Sequence, residues 1–210
     1  MPVIRNYKTE DYEWAIWKIE ESEEELISLL SFSTETIDRA LSFTSPVRRK
    51  EYLAVRALLY TLLNELPVIV YNEHGKPFLQ KDLSVSISHT KGKYAAVLIS
   101  RNQRCGIDIE LKNDRVRKVV RRFISASEAA FLSNEESVCL NQLLIIWSAK
   151  ETLFKSIEEP EIDFLTQLRT EPFIPQQGTG TFCASEHKSS EKWHGNIHYL
   201  LEEDFVMTWI

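Results

Sequence analysis

The chain is 210 residues long, with 43% apolar, 10% aromatic and 27% charged residues, a composition too apolar for disorder and ordinary for a folded protein. Six glycines and seven prolines exclude collagen-like and low-complexity classes. A formal net charge of −6 argues against general nucleic-acid binding, which runs on phosphate neutralisation.

Residues 14–19 mix apolar and strand-forming types and are predicted to form a strand. Ser22 stands three residues before Glu25, the spacing of a capping box, ahead of Leu26, Ile27, Leu29 and Leu30. Ser45-Pro46 places a capping hydroxyl before a proline at the first helical position and predicts a helix over about 46–65. That helix buries Leu53, Ala57, Leu59, Leu62, Leu63 and Leu66, and Arg48, Arg49, Lys50 and Arg56 crowd its first three turns. Residues 68–71, a turn over 72–77 and Phe78-Leu79 read as a hairpin. Leu83, Val85 and Ile87 alternate with Ser84, Ser86 and Ser88, the period of a half-buried strand. The apolar runs 94–100 and 105–111 suit central strands.

Asn113-Asp114 can cap a helix over 115–123, and Ser125 with Ser127-Glu128 opens a further short one. Residues 137–157 have helical spacing through Leu140, Leu143, Leu144, Trp147, Leu153 and Phe154. Residues 180–184, 193–201 and 205–209 return to strands. Helices thus precede strands twice, with a break near 100–104. The expected architecture is α+β, two similar subdomains over 1–102 and 103–210 packed pseudo-symmetrically, with a ligand cleft between them.

Cys105, Cys139 and Cys183 are widely spaced and form no CxxC pair, which predicts free thiols in a reducing compartment. No run approaches the ~18 apolar residues of a membrane span, and the first 14 residues carry charges where a signal peptide needs its apolar core. The expectation is a cytoplasmic protein with no membrane segment and no nucleic-acid partner.

The chemistry gathers in two places. In Gly106-Ile-Asp-Ile-Glu110, strand alternation points Asp108 and Glu110 the same way, with Ile107 and Ile109 toward the core. Two adjacent carboxylates repel unless a cation sits between them, and a hard divalent ion such as Mg²⁺ takes such oxygen ligands; the alternative is a solvated acidic strand. In Trp147-Ser-Ala-Lys-Glu-Thr-Leu-Phe-Lys155, Glu151 and Lys155 share a helix face, as a surface ion pair would. A third carboxylate flanked by Lys150 and Lys155, following the acidic strand by 41 residues, points instead to a metal and phosphate site.

GIDIE followed by WSAKETLFK, together with Gly75-Lys-Pro77, Ser86-Ile-Ser-His-Thr90 and Phe123-Ile-Ser-Ala-Ser-Glu128 in that order, resembles the signature of the 4′-phosphopantetheinyl transferases over about residues 45–160. Length and doubled α+β order are similar to the monomeric two-subdomain (surfactin-synthetase-activating) type. The resemblance implies transfer of phosphopantetheine from coenzyme A to a serine of an apo acyl, peptidyl or polyketide carrier protein, releasing 3′,5′-ADP. It implies Mg²⁺, with Mn²⁺ as a substitute, held by Asp108, Glu110 and Glu151. Glu151 would take the serine proton and Lys155 would neutralise the pyrophosphate, with Lys150 placed similarly or supporting. Arg48, Arg49, Arg56, Lys76, Ser88 and His89 would contact coenzyme A, the arginines at its 3′-phosphate. A non-catalytic coenzyme A- or carrier-binding module, and a phosphodiesterase using water as acceptor, are the competing readings.

Arg115, Arg117, Lys118, Arg121 and Arg122 form a basic stripe, with Lys118 over Arg122 and Arg117 over Arg121 at α-helical spacing, a docking face for an acidic carrier or a solvated surface. Cys183-x3-His187 and His194-x3-His198 imitate zinc spacing. However, His194, Asn196 and His198 alternate with Ile197 and Tyr199 as strand positions do, and one thiol is present, so structural zinc is not expected.

Overall fold

Strand and helix signals in the sequence assemble into two sheets, each backed by one long helix. The computed structural model describes residues 3–72, 75–79, 83–101, 104–157, 159 and 161–210; the turn at Glu73-His74 and the expected boundary at 102/103 lie outside these. Contacts divide the chain into two compact units, Met1–Gln103 and Arg104–Ile210. The fold is α+β. Among the described residues no helix is long and apolar enough to cross a membrane.

The first unit runs β1 (Val3–Lys8), β2 (Tyr12–Lys18), α1 (Glu23–Leu29), α2 (Thr34–Leu41), α3 (Pro46–Leu63), β3 (Ile69–Tyr71), β4 (Pro77–Leu79), β5 (Leu83–Thr90) and β6 (Tyr94–Ser100). Its antiparallel sheet has the order β1-β2-β6-β5-β4-β3. Ser22 caps α1 in a complete capping box with Glu25. Ser45 accepts from the Arg48 N–H ahead of Pro46, and α3 ends where Asn64 turns left-handed at φ 55°. Leu53, Ala54, Ala57 and Leu58 of α3 pack with Ala15, Trp17, Ala95 and Val97 of the central strands.

The second unit runs β7 (Ile107–Leu111), a 3₁₀ helix (Asp114–Arg122), α4 (Ala126–Ala129), α5 (Glu136–Ser156), β8 (Leu168–Thr170), β9 (Gly178–Glu186), β10 (His194–Leu201) and β11 (Phe205–Trp209). Its antiparallel sheet has the order β7-β11-β10-β9-β8. Leu144, Ile145 and Leu153 of α5 bury against Phe182, Ile197, Tyr199 and Val206. Setting β1 aside, the two units are wired alike: a strand, then helices, then a four-strand meander whose last strand returns beside the first.

Two expectations are corrected. The first unit opens with a strand that was not expected, β1, ahead of the expected one, β2; β1 escapes the sequence pattern because nearly all of its residues are exposed. The basic segment 114–122 is a 3₁₀ helix, in which residues three apart eclipse. Exposed Arg115, Lys118 and Arg121 therefore line up, in place of the pairs four apart, while half-buried Arg117 turns to Asp114 at 3.3 Å and to the Glu136 carbonyl at 3.3 Å.

Candidate active site

In the second unit, β7 and α5 meet face to face. Thr208 of β11, paired with Asp108, hydrogen-bonds Ser148 and Thr152 of α5, so Asp108 and Glu110 face the helix. Ser148 also donates to the Asp108 carbonyl at 3.2 Å. The approach is close enough to require Gly106: a β-carbon there would lie 2.3 Å from the Thr152 carbonyl oxygen. Ile107 and Ile109 are buried on the opposite face of the sheet.

Along α5, Trp147, Glu151 and Lys155 are four residues apart and share one face. Trp147 donates its indole N–H to Glu110 Oε1 at 2.8 Å. Lys155 donates to Asp108 Oδ1 at 2.7 Å and to the Ile107 carbonyl at 3.2 Å. Glu151 lies between these two rungs. Burial raises its pKa to about 7; the Asp108 and Glu110 charges add to the rise, and Lys155 opposes it. Three carboxylates that feel one another, beside a lysine, are a set of hard oxygen donors, the chemistry a divalent cation such as Mg²⁺ takes.

Lys150 does not join this group, which corrects its assignment as a ligand contact. It points from another face of α5 into the protein and is fully buried, with its three donors satisfied by Glu128 Oε2 at 2.8 Å, Phe123 O at 2.6 Å and Phe164 O at 2.8 Å. Burial draws its pKa below the ordinary lysine range, against the pull of Glu128. The other Glu128 oxygen takes the Thr170 N–H and hydroxyl, so the pair fastens α5 to the segments on either side of it.

In the first unit, α3 and β5 build a second polar group. His89 lies on the β5 face that carries Val85 and Ile87 toward α3. Its Nδ1 meets Glu51 Oε2 at 3.1 Å, and its Nε2 meets the Arg48 guanidinium. Glu51 Oε1 accepts the Gly92 N–H at 2.8 Å. Burial would raise the Glu51 pKa, but the His89 hydrogen bond and charge, the Gly92 N–H and Arg48 together lower it below the ordinary value. Arg48 and Arg56 line one cavity of about 1120 Å³ together with Arg39, Phe43, Tyr52 and Tyr71; Arg56 is stacked over the Tyr52 ring at 4.2 Å.

Three expected contacts stand apart from that group. Arg49 is tied to Glu23 at 2.7 Å and to the Phe43 carbonyl at 3.0 Å, because one step round the helix turns it toward α1. Strand alternation puts the Ser88 side chain on the face of β5 opposite His89. Lys76 lies in the turn before β4 with its ammonium over the Phe78 ring at 5.8 Å, and is not among the residues lining the cavity. Glu51 stands outside the sequence motifs, and Glu128 and Trp147 stand inside them without an expected role. The spacings that betray two of them are Glu51 three residues after Arg48, and Trp147 four before Glu151.

Two family profiles match. The 4′-phosphopantetheinyl transferase superfamily covers residues 104–210, and the 4′-phosphopantetheinyl transferase N-terminal domain covers residues 37–99. The chain belongs to the 4′-phosphopantetheinyl transferase superfamily. It is similar to the 4′-phosphopantetheinyl transferase AcpT of Salmonella typhimurium, 35% identical over 114 residues that make up 52% of this chain and 59% of that protein. AcpT of Escherichia coli K12 is 34% identical over 113 residues, 51% of this chain and 57% of that one. The 4′-phosphopantetheinyl transferase gsp of Aneurinibacillus migulanus is 31% identical over 109 residues, 50% of this chain and 45% of that one. The chain thus spans about half the length of the relatives it matches.

Proposed function

We propose that the protein is a Mg²⁺-dependent 4′-phosphopantetheinyl transferase, moving phosphopantetheine from coenzyme A to a serine of an apo carrier protein and releasing 3′,5′-ADP. The observation that carries this reading is the row of Trp147, Glu151 and Lys155 laid over Asp108 and Glu110. Serine attack at the β-phosphorus of a pyrophosphate needs a proton acceptor, a place for the charge that develops on the leaving phosphate, and a grip on the remote end of the donor. The chain has a candidate for each.

Glu151, set beside Asp108 and Glu110, offers a carboxylate oxygen to accept the serine proton. Mg²⁺, held by Asp108, Glu110 and Glu151, would supply charge neutralisation at the pyrophosphate. Lys155, held in place by Asp108 and the Ile107 carbonyl, offers its ammonium to phosphate oxygens. Trp147 fixes one Glu110 oxygen and so orients the other. In the first unit, Arg48 and Arg56 present guanidinium groups suited to the coenzyme A 3′-phosphate, and Glu51 holds His89 beside Arg48. The exposed row Arg115, Lys118 and Arg121 would meet the acidic surface of the carrier, making association salt-sensitive.

Intact-protein mass spectrometry of an apo carrier protein incubated with the chain, coenzyme A and Mg²⁺ tests the proposal. The expected result is a gain of one phosphopantetheinyl mass that EDTA abolishes. Coenzyme A binding without mass gain on any carrier class would replace transfer with a binding role, and cleavage of coenzyme A without mass gain would assign water as acceptor.

A further inference from the structure

The face of the second sheet turned away from α5 carries its own set of ligand atoms. Phe182 and Ala184 of β9 and Ile197 and Tyr199 of β10 pack into the helix-side core. Cys183, Asn196 and His194, which alternate with these residues along the strands, therefore lie on the other face. Asn196 is paired directly with Cys183, and His194 with Ser185 one step along. Just past β8, the Glu171 N–H donates to the Cys183 carbonyl at 2.9 Å, which places Glu171 alongside the thiol. Three neighbouring segments of chain thus bring one sulfur, one imidazole nitrogen and one carboxylate oxygen within 4.8 Å of one another.

We propose that Glu171, Cys183 and His194 form a Zn²⁺-class metal site, independent of the acidic cluster on the opposite face. Thiolate, imidazole and carboxylate are the donors that borderline divalent ions select; Mg²⁺ takes oxygen alone. Glu171 Oε1 and His194 Nε2 are 2.9 Å apart. Two donors each about 2.0–2.1 Å from one ion would subtend roughly 90° at that spacing, and opening them by about 0.4 Å reaches the tetrahedral angle. The His194 and Glu171 side chains are 60% and 55% exposed, so the ion enters from solvent without unfolding, and a fourth position stays open to water.

Cys183 loses its thiol proton to solvent on binding. At present that thiol donates to Asn196 Oδ1 at 3.3 Å; after binding, rotation of the amide would let Asn196 donate an N–H to the thiolate. Each pair suggested by sequence spacing gives the site only its first member, Cys183 or His194. His187 hydrogen-bonds Ser185 and His198 hydrogen-bonds Thr181, on separate stretches of β9. The site instead draws its oxygen ligand from a residue with no spacing relation to either pair. Bound metal would clip the short strand β8 to the β9–β10 hairpin.

The test uses the full chain, both wild type and with Asp108→Ala to disable the acidic cluster, stripped with EDTA, dialysed and titrated with Co²⁺ as the probe. The expected result in both is one thiolate-bound Co²⁺ per chain, read from its charge-transfer absorption, displaced by Zn²⁺ and indifferent to Mg²⁺. Cys183→Ser abolishes the band, and His194→Ala and Glu171→Gln each weaken binding about tenfold or more. Absence of the band, its survival in Cys183→Ser, or affinity unchanged by both His194→Ala and Glu171→Gln would overturn the site and leave an ordinary His–Glu ion pair.

Discussion

Replacing Glu151 with glutamine is expected to stabilise the metal-free protein while destroying its chemistry. Glu151 titrates at about 7 in the folded chain against an ordinary 4.5, a rise caused first by burial and then by the Asp108 and Glu110 charges. The folded state holds this proton more tightly than the unfolded state. Its contribution to stability is thus fully present below pH 4.5, falls between pH 4.5 and about 7, and is gone above that. At 1.36 kcal/mol per pKa unit the rise amounts to about 3 kcal/mol lost by wild type on the alkaline side. Glutamine keeps the shape and cannot ionise. Urea unfolding in EDTA across pH 4.5–8.5 is therefore expected to show the Glu151→Gln curve pulling above wild type through that window, by about 3 kcal/mol at pH 8. Saturating Mg²⁺ is expected to narrow the gap by stabilising wild type more than the variant. Equal stabilities at pH 8 in EDTA, or a variant less stable than wild type, would refute the buried placement of Glu151 beside Asp108 and Glu110.

Lys150→Met leaves Glu128 buried without its cation and is expected to cost about 3–5 kcal/mol, read as a fall in thermal midpoint. Adding Glu128→Gln to it is expected to recover part of the loss, which a role for Lys150 at the ligand would not explain. Arg56→Ala is expected to weaken coenzyme A binding by about tenfold while leaving 3′-dephospho-coenzyme A affinity nearly unchanged, measured by calorimetry; equal losses for both would move the 3′-phosphate away from this cavity.

Much of the site was legible because its signals are local. Strand alternation put Asp108 and Glu110 on one face, and helical spacing put Glu151 and Lys155 on another, with no tertiary knowledge needed. Lys150 was misread because adjacency along a helix says nothing about direction: one residue from Glu151 is about 100° of rotation, enough to turn a ligand contact into a buried anchor. Ser88 stands on the face of β5 opposite His89 for the corresponding reason on a strand, where one residue reverses the face. Glu51 escaped because its significance depends on His89, 38 residues away in sequence and brought alongside only when β5 packs under α3. The segment 114–122 was read with the wrong period, since its helical composition does not distinguish i+3 from i+4 hydrogen bonding. In the fold, β1 and β8 went unseen because an exposed strand and a three-residue strand carry too little hydrophobic alternation to register.

The strand order of the second unit also governs when its acids can come together during folding. β7 has one neighbour in its sheet, β11, and the pairing joins Ile107 to Trp209 and Leu111 to Phe205, contacts about a hundred residues apart along the chain. Helix α5 and the β8–β10 strands can form from nearer contacts, while β7 must wait for β11 to be inserted between it and β10. The strand that carries Asp108 and Glu110 is thus held in its sheet by the pairing between the two ends of the second unit, and the repulsion of the three carboxylates is borne by an edge strand.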